Sequence, residues 1–254
     1  MFRLRFSILK KMPVTESPAA FEKVFLTTCW SVVFSAADGQ SLAAREHFVR
    51  LYWLPLYGFA RSRGESPENA ADAVQTFLLG LIRKDSLQGV TREGGRFRDF
   101  LRVGLLRHLI SIHRAENSTL RRPSGGFVYP DGLDPEAQFA LEAADHRTPE
   151  LAYDRLCART LLDAALDQLR KEYERAGRGE IFSHLAAYIV RDPEAGTHAA
   201  AATRLGISEG TLRNSMKPFR ERYQSVFRQL VAATLDDPSQ VDQEIRHLLA
   251  ALSA

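Results

Sequence analysis

The chain has 254 residues, enough for one large domain or two small ones. Hydrophobic residues make up 45%, an ordinary globular share, and no window approaches the roughly 18–20 apolar residues of a membrane span. With 34 Lys/Arg against 31 Asp/Glu the net charge is only +3, which excludes a general polycation and puts the weight on local patches.

Residues 1–37 read as a lead segment. The start, MFRLRFSILKKM, is basic, but its apolar run is too short and too interrupted for a secretory signal. A cytoplasmic location is therefore expected, with Cys29 and Cys157 as reduced thiols rather than a disulfide. Met12 is an alternative start to Met1, and the two stay open. Phe21, Val24, Phe25, Leu26, Trp30, Val32 and Val33 suggest a short helix or docked segment, closed by Ala36-Ala37-Asp38-Gly39.

A first strong helix is expected over 41–63, kinked or divided at Pro55 and stopped by Gly64. Ser66-Pro67-Glu68-Asn69 carries an N-cap Ser, a first-position Pro and a first-turn acid, so a second helix should run to about Lys84. Its apolar face is Ala70, Ala73, Val74, Phe77, Leu78 and Leu81, with Asp72, Gln75 and Thr76 toward the polar side. A loop holding Gly89, Gly94 and Gly95 leads to a helix over 97–114. Arg98 and Arg102 are four apart, and Arg107, Ser111 and Arg114 recur at helical steps. From Arg96 to Arg122 seven Arg face two acids, a first basic patch.

Residues 116–147 read as a flexible linker, because Arg121-Arg122-Pro123-Ser124-Gly125-Gly126 cannot be helical and Tyr129-Pro130-Asp131-Gly132 is a turn. Seven acids against one Arg between Asp131 and Asp154 suggest a solvated spacer. Thr148-Pro149-Glu150 starts another helix, to about Arg175, and a short one follows over 181–189.

The stretch HAAAATRLGISEGTLRNSMKPFRERY, from His198 to Tyr223, has the grammar of a helix-turn-helix. Ala202 is small where two helices would touch, Gly206 suits a turn with positive φ, Leu212 falls on the buried side, and Ser208 is a good N-cap. Leu212, Met216, Phe219, Tyr223 and Val226 form an apolar stripe, while Arg213, Lys217 and Arg220 recur on another face. From Arg204 to Arg228 six Lys/Arg face two Glu, a second basic patch suited to phosphates or guanine edges. Pro218 should kink this helix, leaving Glu209 to Lys217 as its base-reading part. The tail, 236–254, carries one more stripe of Val241, Ile245, Leu248, Leu249 and Leu252.

Catalytic grammar is missing from the sequence. There is no Gly-rich phosphate loop, the seven His are scattered without a nearby Cys pair, and no Ser has a base and orienter in a recognised context. The chain is read as a non-enzyme needing no cofactor or metal. Its fold class is read as all-α: two small helical domains on a flexible linker, the second containing the helix-turn-helix.

Taken in order, WSVVFSAADG, then FVRLYWLPLYGFARSRGESPENAADAVQTFLLGLIRKD, then GGRFRDFLRVGLLRHLISIHRAE, resemble regions of a bacterial RNA polymerase sigma factor. The resemblance is to the extracytoplasmic-function type, in a subgroup whose region two carries YWxPLYxFxRxRGxSPExAxDxxQxF. It covers about Thr28 to Leu252 and implies a region-two domain over 38–115, a region-four domain over 148–235 and a C-terminal helical extension over 236–254. It further implies that core RNA polymerase and promoter DNA are the partners, with an anti-sigma factor as a further open one. Asp72, Gln75 and Phe77 would contact polymerase, although the spacing of Phe77 also fits the core. Arg96, Arg98, Arg102, Arg107 and Arg114 would hold the melted strand of the minus-ten element. Arg213, Asn214 and Lys217 would read the minus-thirty-five duplex, with Thr211 and Arg220 on phosphates and Ser208 also among the DNA-binding residues. The alternative from another class is a stand-alone helix-turn-helix regulator that binds operator DNA without polymerase. A helical interaction protein with a degenerate motif is a third reading, for which Pro218 is the main argument.

Overall fold

A computed structural model describes residues 42–82, 96–116, 135–143, 148–190 and 197–253. The lead segment, the loop with Gly89, Gly94 and Gly95, and the turns expected over 121–132 lie outside the described residues. The described residues are about 90% helical and contain no strand, an all-α fold. Their helices are α1 (Leu42–Ser62), α2 (Pro67–Ile82), α3 (Phe97–Glu116), α4 (Pro135–Ala143), α5 (Pro149–Arg175), α6 (Gly179–Val190), α7 (Thr197–Leu205), α8 (Glu209–Ala233) and α9 (Val241–Ser253). Contacts divide the described residues into two compact units, one holding those of 42–160 with 232–240, the other those of 161–231 and 241–253. The division falls inside α5, after Thr160, rather than at the start of that helix.

In the first unit, local chemistry sets the helix ends. Gly64 adopts φ +94°. Its N–H donates to the Arg61 carbonyl and the Glu65 N–H to the Ala60 carbonyl, closing α1 in a Schellman turn. Two residues later the Ser66 hydroxyl accepts the Asn69 N–H and starts α2. Pro55 does not divide α1, which runs unbroken from Leu42 to Ser62. Leu51, Tyr52, Leu56, Tyr57 and Phe59 are all buried around it, and each contributes about 1.5–3 kcal/mol on burial. That outweighs the roughly 3 kcal/mol a helical proline costs. Phe48, Tyr52 and Phe97 pack ring against ring at 5.4–5.8 Å and fasten α3 to α1. The isolated bridge of Arg96 with Leu235, and the Phe97 N–H given to the Thr234 carbonyl, hold the start of α3.

The acidic stretch is not simply solvated spacer. α4 forms inside it and lies on α1: Glu136 accepts hydrogen bonds from the Tyr57 hydroxyl and from Arg61, at 2.7 Å for Arg61 Nε. The Arg61 guanidinium also sits 5.1 Å over the Phe139 ring. On α5, Asp154 and Glu150 lie one turn apart and face Arg98 and Arg102 on α3, also one turn apart. Gly58 lets α5 come close: a Cβ there would collide with Leu156 Cδ1. Tyr153 fills the same contact, with its hydroxyl on the Arg98 carbonyl at 2.9 Å and its ring edge-on to Phe59. Cys157 is a buried thiol in this contact.

In the second unit, Gly177 closes α5 with φ +66°. Tyr173, Phe182 and Phe219 pack as an aromatic trio that joins α5, α6 and α8. Glu172 takes a two-pronged hydrogen bond from Arg222, at 2.7 and 2.9 Å, and the Tyr223 hydroxyl donates to the Leu162 carbonyl at 3.2 Å. α9 buries Val241, Ile245, Leu248 and Leu249, and its Asp242 pairs with Arg228 of α8.

Candidate nucleic-acid interface

α7 ends where Gly206 turns the chain. Gly206 has φ +64°, and the Ile207 N–H returns to the Ala202 carbonyl at 3.1 Å. Ala201 and Ala202 are buried and small, so a neighbouring backbone can approach α7 closely. Ser208 then accepts the Thr211 N–H at 3.0 Å and starts α8, while its hydroxyl lies 2.8 Å from that of Thr211. α8 continues through Pro218 to Ala233 without breaking. Pro218 and Asn214 are exposed, so water can take the Asn214 carbonyl that loses its N–H donor.

The two faces of α8 separate cleanly. Leu212, Met216, Phe219, Tyr223, Val226 and Phe227 are buried. Ser208, Thr211, Arg213, Asn214, Lys217 and Arg220 are all exposed, with Arg213, Lys217 and Arg220 at helical steps of four and three. The Arg213 and Lys217 side chains are 68% and 85% accessible. Each has a carboxylate four residues away, Glu209 at 2.5 Å and Glu221 at 3.8 Å, but exposed pairs of this kind hold weakly and leave the cations available. Asn214 and Arg220 have no side-chain partner among the described residues.

The arginines of α3 do not act as one group. Arg98 is 3% exposed and its guanidinium pairs with Asp154, so it serves an internal tie and is not presented to a ligand. The reason is its angle on the helix: Arg98 and Arg102 point toward the acids of α5, away from Arg107 and Arg114. Arg102 is half-buried, 3.4 Å from Asp99 and 3.8 Å from Glu150. Arg96 is half-buried with its backbone in the bridge to Leu235. Arg107 and Arg114 are exposed and have no partner among the described residues. Val103 and Ile110 are also exposed, at 40% and 43%, and alternate with them along one face. This stripe of two cations and two aliphatic side chains can hold a strand backbone and cover base faces. The two aliphatic members were legible only by elimination, as the apolar positions of α3 that fall opposite Leu101, Leu105 and Leu109.

On α2, Gln75 is exposed and Asp72 half-buried, beside exposed Thr76 and Leu79. Phe77 is 9% exposed and its ring rests on α3: a Cβ on Gly104 would be 2.8 Å from Phe77 Cζ. Here it is a packing residue. His108 of α3 stands 3.2 Å from the Thr76 hydroxyl, and burial pushes its pKa below the usual histidine range. Among the described residues no helix is long and apolar enough to cross a membrane, and no group of three or more His, Cys, Asp or Glu could hold a metal ion. Comparison with protein-family models, with curated proteins and with solved structures finds no match for this chain.

Proposed function

We propose that this protein is a bacterial sigma factor of the extracytoplasmic-function type, which binds core RNA polymerase and directs it to promoters. One observation carries the reading. A capped helix after a tight glycine turn presents Arg213, Asn214 and Lys217 to solvent, as a helix must to enter a major groove. α7 and α8 are then the helix-turn-helix of region four, in the second of two helical domains. Arg213, Asn214 and Lys217 read the minus-thirty-five duplex, while Ser208, Thr211 and Arg220 position it through phosphates. Arg107 and Arg114, with Val103 and Ile110 between them, hold the single strand of the minus-ten element. Asp72 and Gln75 dock on polymerase. The protein acts in the cytoplasm.

The open face of α8 also favours a second reading, an autonomous regulator, since Arg213 and Lys217 are accessible without any partner. A gel shift with promoter duplex, with and without core polymerase, separates the two. A sigma factor gives specific binding only with core present. Tight, site-specific binding by the chain alone would replace it with the regulator.

A further inference from the structure

α6 meets α7 through three rings. His184 Nε2 lies 3.4 Å from His198 Nδ1, the Tyr188 ring stacks on His198 at 4.3 Å and 11°, and His184 and Tyr188 lie 4.8 Å apart. Two imidazoles at this distance can share one proton between their facing nitrogens. Two protons would put like charges in contact. We propose that His184 and His198 form a proton-sensitive clasp between α6 and α7, which holds with at most one proton and loosens when the pair takes a second.

Among the described residues a second proton meets no compensating carboxylate. The groups acting on His184 are His198 and Arg204 of α7, with Tyr188 on its own helix. Neither histidine pairs with a carboxylate among the described residues. Burial, then His198 and Arg204, hold the His184 pKa below its ordinary value. The unfolded chain therefore takes up the proton more readily than the folded one. The clasp's stabilisation is fully present above the ordinary histidine value, near about pH 6.5, and is lost progressively as pH falls from there through the lowered His184 value, where the second proton binds. α7 is short, so its hold on α6 matters for the turn at Gly206 and for the helix that follows.

The test uses the full chain. Histidine ring resonances are followed by NMR, and melting temperature is measured between about pH 8 and about pH 5. In the native protein one imidazole titrates below the usual range, and it moves back up in His198→Gln. The acid-induced fall in melting temperature becomes smaller by roughly 4 °C in that variant. His184→Gln gives the same reduction, and it keeps the test alive if loss of the Tyr188 stack unfolds the first variant. An equal acid-induced fall in the native protein and both variants would overturn the clasp. So would a rise in melting temperature on adding zinc at neutral pH that disappears in His198→Gln, because the pair would then be a metal site. None of these readouts depends on DNA binding.

Discussion

Arg98 and Arg107 are nine positions apart on one helix and have opposite fates. Arg98 is buried against Asp154, so removing its charge strands a carboxylate in a tight contact. Arg98→Ala should therefore cost about 3–5 kcal/mol of stability, measured by urea unfolding. Arg107→Ala should change stability by less than about 0.5 kcal/mol. It should instead weaken single-strand DNA binding by polymerase holoenzyme and lower its salt slope by about one. If Arg98→Ala folds normally, the internal tie is wrong. Arg213→Ala should cost about 1–3 kcal/mol at one promoter position; an equal loss on every sequence would make it a phosphate contact. The sequence alone could not separate these arginines. Helical spacing tells which residues share a face, and it did put Arg213, Asn214 and Lys217 outside. It does not tell what lies across from Arg98, because its partner is 56 residues away and sits in a stretch whose composition suggested solvation.

Helix ends were the most legible elements, since Ser66, Ser208, Gly64 and Gly206 act on their immediate neighbours. Gly206→Ala forces a side chain into a left-handed conformation and should lower stability by about 1–2 kcal/mol. Thermal melting checks this, and an unchanged Tm would mean the turn has relaxed. Packing was less legible. Pro55 suggested a kinked or divided helix; the helix is not divided, and the buried rings around it keep α1 whole. α4 was missed because its stability comes from Arg61, Tyr57 and Phe139 contacts rather than from its own nine residues. Hydrogen bonding to Arg61, then to Tyr57, holds Glu136 below the usual carboxylate range. That hold is present at neutral pH and is lost as pH falls through the lowered value. Amide protection in α4, relative to the intrinsic exchange rate at each pH, should therefore fall in acid, below about pH 4, and be low already at neutral pH in Glu136→Gln. Equal exchange in the two proteins would remove the proposed anchor.

At the scale of the whole chain, a net charge of +3 conceals an uneven arrangement. Arg61, Arg98 and Arg102 are neutralised by acids of α4 and α5, while Arg107, Arg114, Arg213, Lys217 and Arg220 stay exposed. Each of the two units thus keeps a cationic face for nucleic acid after its internal pairs are made. The proposed sigma-factor function would use both faces, one for each promoter element. α9 belongs to the second unit and leaves Arg213, Asn214 and Lys217 of α8 exposed, which fits a packing role for the tail. The most direct measurement is transcription from promoter DNA with purified core RNA polymerase, with and without this chain. A sigma factor co-elutes with core at about one to one and gives initiation at defined starts, reduced by Arg213→Ala and by Arg107→Ala. No association with core, under conditions where a known sigma factor binds, would contradict the proposed function.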